Sequence, residues 1–349
     1  MSDRSKRARL DDAASPRRST PFACKYVAGP MVGASDLAFR LLCRAHGADT
    51  CYTEMIFGAR FMDDPLYRER MLQTCPQDRP LVVQFCTNEP SVLAGCAKLV
   101  HEALPGPDVA VDLNLGCPLP QAKEQDFGAY LLRRSNWPNL AAMVEQASRA
   151  SPLPVFVKIR LCDTVDDTVE LCQCLQTAGC QLIAVHGRRV DVRSSRTSWE
   201  GGTWVAADLA AVRTVAAALE IPVLANGNTS SLLDVRSHLR EANVAGVMSA
   251  EGLLRNPALF EIDRELAHAH ELGALALEYL GLAATFPPRS VGVVRSHLMW
   301  MMGKSEKGRG CTFDYPGAYT SQQLHAALLA AETLEEFETI VRGSLLHQP

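Results

Sequence analysis

The sequence contains no run of eighteen apolar residues, so it encodes no helix long enough to cross a bilayer. It has no apolar leader of the secretory kind: the first 21 residues are polar and charged. Twelve cysteines are present, yet no two are spaced Cys-x-x-Cys. Together with the absent leader, this favours thiols kept reduced over a disulfide framework or a zinc site. The trio Cys172, Cys174 and Cys180 reads as small buried residues near a helix end. A Gly-x-Gly-x-x-Gly turn is also missing, which counts against a doubly wound dinucleotide-binding sheet. Nor is there an excess of positive charge. The formal net charge is −4, and residues 1–21 hold six basic and three acidic side chains, leaving −7 on the remainder. This argues against a general basic coat for nucleic acid, and any phosphate contacts must be concentrated locally.

What is present is a rhythm. Residues 1–21 have no apolar periodicity and are read as a disordered basic tail. From residue 22 to 262 short apolar runs alternate with helical patterns. The expected strands are Tyr26–Gly29, Thr50–Thr53, Leu81–Phe85, Val109–Leu113, Val155–Ile159, Leu182–Val185, Val223–Ala225 and Gly246–Met248. Helices are expected at Asp36–His46, Leu140–Ala150, Asp166–Ala178 and Leu232–Glu241. Eight strands alternating with helices over some 240 residues suit an α/β fold, a (β/α)8 barrel. Residues 263–349 show only helical patterning, at Glu265–Glu278, Ser290–Met302 and Ser321–Arg342, and are read as an α-helical C-terminal domain.

Such barrels place their chemistry at the carboxyl ends of the strands, where side chains two apart share a face. In Pro154–Arg160 that parity sends Val155, Val157 and Ile159 outward and Phe156, Lys158 and Arg160 inward. The same reasoning aims Gln84, Asp112, Asn114 and His186 into the barrel. A lysine there requires an anion to offset its burial. The last two strands end in Asn226-Gly227-Asn228 and Ser249-Ala250-Glu251-Gly252, turns of the kind that bind phosphate after strands seven and eight. Glu251 is the discordant residue, since a carboxylate there must point away or pair with a cation. Asp112–Pro118 (DLNLGCP) is the sharpest motif, placing Cys117 on a stiffened turn directly after a buried strand. A free thiol has a pKa of about 8.5 and suits a general acid near neutrality.

These ordered motifs resemble the tRNA-dihydrouridine synthases over roughly Tyr26 to Phe260. The resemblance rests on Ala28-Gly29-Pro30-Met31-Val32, Leu81–Gln84, Asn114–Pro118 with Gly128-Ala129, Val157–Arg160, Val185–Arg188 and Asn226–Asn228. The stretches HGADTCYTEM, VDLNLGCP and SAEGLLRNPALF are most similar to the eukaryotic subgroup acting at D-loop positions 16 and 17. The resemblance implies FMN as cofactor, NADPH or NADH as reductant, and reduction of the uridine C5=C6 bond in the tRNA D-loop. It places Pro30, Met31, Val32, Gln84, Lys158 and His186 on the flavin ring and ribityl side. Asn226, Gly227, Asn228, Ala250 and Glu251 then lie near its phosphate. It implies hydride transfer from flavin N5 to C6 of a flipped-out uridine, a proton from Cys117 to C5, and Asn114 positioning base or flavin. Lys158 would stabilise the reduced flavin.

The sequence departs from the family at Gln125, where a glycine is usual, and in a longer loop after Arg188. Arg188, Arg189, Arg193 and Arg196 in that loop, with Arg295, His297, Lys304, Lys307 and Arg309 in the helical part, are candidate RNA contacts. The expectation is a monomer in the cytoplasm, with no membrane partner; the basic tail allows nuclear import as well. Two other readings stand beside it: a flavin barrel acting on a small pyrimidine or enone, and a catalytically retired RNA-binding barrel.

Overall fold

The structure, a computed structural model, describes residues 21–190, 206–261, 269–302 and 319–345. The β-branched apolar runs form β1 (Tyr26–Ala28), β2 (Thr50–Tyr52), β3 (Ile56–Phe57), β4 (Leu81–Cys86) and β5 (Val109–Leu115). They continue as β6 (Val155–Leu161), β7 (Leu182–Arg189), β8 (Val223–Asn226) and β9 (Gly246–Ser249). Every pairing is parallel. β1 pairs with both β2 and β9, and β2 pairs with β4, so eight strands close on themselves. β3 is a two-residue continuation of β2 that pairs further along β4. The result is a (β/α)8 barrel, with all eight expected strands present. The largest extension beyond the expected runs is in β7, which reaches Arg189.

The helices, in order, are α1 (Leu37–Ala45), α2 (Gly58–Asp63), α3 (Pro65–Met71), α4 (Pro90–Ala103), α5 (Pro120–Glu124), α6 (Trp137–Ala150) and α7 (Val165–Thr177). After them come α8 (Leu209–Ala218), α9 (Leu232–Glu241), α10 (Glu251–Arg255), α11 (Ala269–Thr285), α12 (Val291–Met302), α13 (Ser321–Ala330) and α14 (Leu334–Leu345). The starts follow local chemistry. Asp36 caps α1 by accepting from the Phe39 amide at 3.1 Å, and Ser231 with Asp234 forms a reciprocal capping box on α9.

Strand parity divides the core in two. Val27, Tyr52, Val82, Ala110, Phe156, Leu182, Ala184, Leu224 and Met248 pack inside the barrel. Their neighbours one residue along, such as Leu81, Val83, Val111, Val157, Ile183 and Val223, face outward against the helices. Filling the lower barrel with apolar side chains forces the polar inward residues into one layer at the carboxyl mouth. Cys172 and Cys180 are buried in the outer core, as expected for small apolar residues, whereas Cys174, expected with them, is only half-buried.

The C-terminal helices do not build a core apart from the barrel. Phe39 and Leu42 of α1 pack in one cluster with Leu275 and Tyr279 of α11, Leu298 and Met301 of α12, Leu324 of α13 and Phe337 of α14. Polar ties reinforce the seam: His297 Nε2 lies 2.8 Å from Asp36, and His46 bridges Glu261 and Glu278 at 2.9 and 2.8 Å. One expectation is corrected here. Ser321–Arg342 is two helices, because Thr333 and Glu336 make a reciprocal capping box that starts α14. Among the described residues no helix is long and apolar enough to cross a membrane.

Candidate active site at the barrel mouth

Five adjacent strands, β4 to β8, set the site. Register pairs Gln84 with Asp112 and Asn114 with Lys158, then Arg160 with His186 and His186 with Asn226. Pro30, Lys158, His186, Arg188, Asn226, Gly227, Asn228, Ala250 and Glu251 wall one cavity of about 330 Å³, together with Ser249, Gly252 and Arg255. That size falls within the ~300–1,000 Å³ usual for small-molecule sites. Gly227 sits at φ 108°, in the left-handed region, and a Cβ there would lie 2.8 Å from the His186 ring and 2.9 Å from Ala207. The turn therefore needs glycine to lie so close to His186.

The charge in this mouth is unbalanced. Burial lowers the Lys158 pKa to about 8, helped by Arg160, while Asp112 and Cys117 oppose the shift. Burial and then Arg188 lower Arg160 to about 10. Burial also lowers Arg188, with Glu251 opposing. His186 is held well below its usual value by burial, then by Arg160, Lys158 and Arg188. Arg188 Nη1 lies 3.0 Å from His186 Nε2. A guanidinium cannot accept, so Nε2 must be the acceptor and the imidazole proton belongs on Nδ1. Arg188 also donates to Asn228 Oδ1. Glu251 stays in the cavity wall and pairs there with Arg255 at 3.0 Å, the cation that a carboxylate beside a phosphate-type turn needs. A cluster of partly desolvated cations of this kind favours an anionic occupant.

Beside the cavity, Asn114 Oδ1 accepts from the amides of Gly116 and Cys117, each at 3.0 Å. Arg160 Nε donates to the Gly116 carbonyl at 2.8 Å, and a Cβ on Gly116 would stand 3.7 Å from Lys158 Nζ. The half-buried Cys117 is thus carried on a loop tied to the same mouth, packed near Met55, Cys86, Ala122 and Phe127.

The structure sorts the expected site residues. Eight of the expected cofactor residues line the cavity; Gln84 and Asn114 are buried beside it, linked to each other at 2.8 Å. Met31 packs against the core shared with the C-terminal helices and Val32 is 62% exposed, so neither expected flavin contact lines the cavity. Arg188, expected on an RNA-facing loop, is instead cavity wall, because β7 runs further than the apolar pattern indicated. Arg189 is exposed at the strand end. Arg295 donates to the carbonyls of Leu328 at 3.2 Å and Ala331 at 2.6 Å, closing the end of α13. Arg193, Arg196, Lys304, Lys307 and Arg309 lie outside the described residues, as does the tail up to residue 20. Arg160 and Asp112 were legible as inward by parity but carried no assigned task. A second cavity, about 420 Å³, lies between α1, α3 and α12. Its buried cation Arg40 pairs with Asp78 and its Glu54 with Arg289, and its lining holds both signs of charge, so it lacks the imbalance of the first.

Comparison with known proteins points the same way. Residues 26–310 match the family model described as Dihydrouridine synthase (Dus). A Mus musculus protein named tRNA-dihydrouridine(16/17) synthase (NAD(P)(+))-like is 41% identical over 279 residues, covering 78% of this chain and 54% of that protein. The tRNA-dihydrouridine(16/17) synthase (NAD(P)(+)) of Schizosaccharomyces pombe is 31% identical over 308 residues, covering 82% and 74%. This chain spans only a little over half the length of the rodent relatives it matches. Among solved structures, histamine dehydrogenase from Rhizobium sp. 4-9 aligns with TM-score 0.51 at 11% identity, covering 74% of this chain and 49% of that one, a likeness of fold. With the Asn114–Pro118 loop, the Lys158 and His186 strands and the Asn226–Asn228 turn all falling inside the matched span, the chain belongs to the dihydrouridine synthase family.

Proposed function

We propose that this chain is an FMN-dependent tRNA-dihydrouridine synthase that reduces the uridine C5=C6 bond in the tRNA D-loop, with NADPH or NADH as reductant. The observation that carries the reading is the meeting of a cation-rich cavity and the Cys117 loop at one barrel mouth. The donor set suits a flavin mononucleotide. Arg188 and the Gly227 and Ala250 turns would hold its phosphate. Lys158, with the neutral His186 beside it, would face the electron-rich edge of the ring, near the Pro30 turn. Bound there, FMN would supply the hydride chemistry that links the nicotinamide to uridine C6.

The protein's own part is positional and protic. Lys158 offsets negative charge in a water-poor pocket, where a cation counts for more than in solvent. Asn114 fixes the loop carrying Cys117, whose Sγ–H gives its proton to uridine C5. A loop uridine has no pairing partner to lose, which keeps the cost of flipping it out modest. Arg189 at the rim is assigned to the RNA backbone, whereas Arg188 goes to the cofactor side. Arg193 and Lys304 remain candidate RNA contacts. The protein acts as a monomer in the cytoplasm or nucleus.

The test is dihydrouridine mapping in tRNA after incubation with the protein, FMN and NADPH, beside Cys117→Ala. The wild type should form dihydrouridine. The variant should keep bound flavin and NADPH oxidation but lose about a hundredfold or more of base reduction. Full activity of Cys117→Ala removes the thiol from the chemistry. Flavin reoxidised by free pyrimidines and not by tRNA supports the small-molecule reading instead.

A further inference from the structure

Asp112 has no part in the chemistry just described, yet its hydrogen bonds lead directly to the thiol loop. The amides of Gly116 and Cys117 can only donate, so the Asn114 atom 3.0 Å from each must be its oxygen. Asn114 Nδ2 then faces Gln84 Oε1 at 2.8 Å, and Gln84 Nε2 faces Asp112 Oδ2 at 2.8 Å. Either carboxamide alone can be set two ways round. In series, both are locked by backbone donors at one end and an acceptor at the other. Asp112, Gln84 and Asn114 are all buried, so water cannot substitute for a lost partner.

We infer that Asp112 is a positioning residue for Cys117: its oxygen anchors a one-way chain of amides that holds the Gly116–Cys117 backbone beside Lys158. Without that acceptor the buried Gln84 NH2 is left unsatisfied, so Gln84 shifts toward another acceptor and Asn114 Nδ2 loses the partner that holds its carboxamide against the loop. The groups facing Asp112 are Gln84, Lys158, the Tyr52 hydroxyl and Cys180. Burial pushes its carboxyl up to about 7, so both protonation states occur near neutrality. Oδ2 accepts in either state, because a proton can reside on Oδ1, which has no hydrogen-bond partner among the described residues. What the chain of amides needs from Asp112 is the acceptor, whatever its charge.

The inference rests on Cys117 as proton donor, and two variants test it. Asp112→Asn keeps an acceptor oxygen and removes the charge; Asp112→Ala removes both. Asp112→Asn should retain base reduction within about threefold. Asp112→Ala should lower kcat roughly a hundredfold, as for a reacting group displaced by about an ångström, with KM for tRNA and flavin content unchanged. Amide hydrogen exchange in the flavin-free protein should quicken roughly tenfold at Gly116 and Cys117 in Asp112→Ala, and not in β4 or β6. That readout stands whether or not the chain reduces tRNA. Asp112→Asn as slow as Asp112→Ala would mean that the charge beside Lys158 is what matters, and overturns the inference. So does exchange that rises across β4–β6, or that stays unchanged at residues 116 and 117. If Asp112→Ala does not fold, Asp112→Ser, whose hydroxyl is too short to reach Gln84, carries the same expectations.

Discussion

Replacing Lys158 with methionine separates what the site costs the fold from what it contributes to binding. The ammonium is brought from 10.5 down to about 8, chiefly by burial and then by Arg160. That drop opposes the charged form by at most about 3 kcal/mol at pH 7, less to the extent that the cavity mouth admits solvent. Methionine keeps the apolar stem and removes the charge. The flavin-free variant should therefore be more stable than the wild type at pH 7, by up to about 3 kcal/mol. Because the folded pKa lies below the unfolded one, the unfolded chain binds more protons between about pH 8 and 10.5. Wild-type stability accordingly rises through that window, the variant lacks this rise, and the two curves converge. Flavin affinity moves the other way, weakening roughly ten- to a hundredfold with loss of a charge-assisted contact. Urea unfolding at several pH values from 7 to 10, with flavin fluorescence titration, measures both. A variant less stable than the wild type at pH 7, or one with undiminished flavin affinity, refutes the reasoning.

The other expectations concern the loop and the framework. Gly128 sits at φ 66°, and a Cβ there would lie 2.8 Å from the Cys117 carbonyl oxygen and 2.9 Å from its Cβ. Gly128→Ala should cost about 1–2 kcal/mol in backbone strain and displace the thiol, so base reduction falls more than flavin binding in steady-state assays. Asp78 is fully buried and accepts from Arg40 at 2.6 and 3.0 Å, Arg44 at 3.0 Å and Thr74 at 3.0 Å. Asp78→Ala strands two arginines and should lower unfolding free energy by about 3–5 kcal/mol in denaturant titration. Burial acts to lower the His46 pKa, but Glu278 and Glu261 outweigh it and raise the value above 6.5. Its stabilisation is complete below 6.5 and is lost as pH rises through the folded value. The melting-temperature gap between wild type and His46→Gln should therefore narrow from pH 6 to pH 8.5, and a widening gap would contradict it.

Local order was largely legible in the sequence. Period-two alternation in Val155–Arg160 and Val109–Asn114 fixed which side chains enter the barrel, because a strand has only two faces. Glycine at 227 and the Asn114–Pro118 turn were legible for the same local reason, since turn geometry depends on residues within a few positions. The break between α13 and α14 was also local, written in Thr333 and Glu336, and was hidden by continuous helical periodicity on either side.

Tertiary structure alone decided the rest. Direct pairing of β6 with β7 packs the cations together, so that, after burial itself, Arg160 lowers Lys158, Arg188 lowers Arg160, and all three lower His186. Strand neighbours distant in sequence connect Asp112 through Gln84 to Asn114, separations of 28 and 30 residues that no local pattern encodes. Arg188 moved from loop to cavity wall, and Arg295 to a helix end, because strand length and helix docking depend on what packs alongside. Composition and periodicity determine which face a residue takes; the charge it meets there depends on the whole closed barrel.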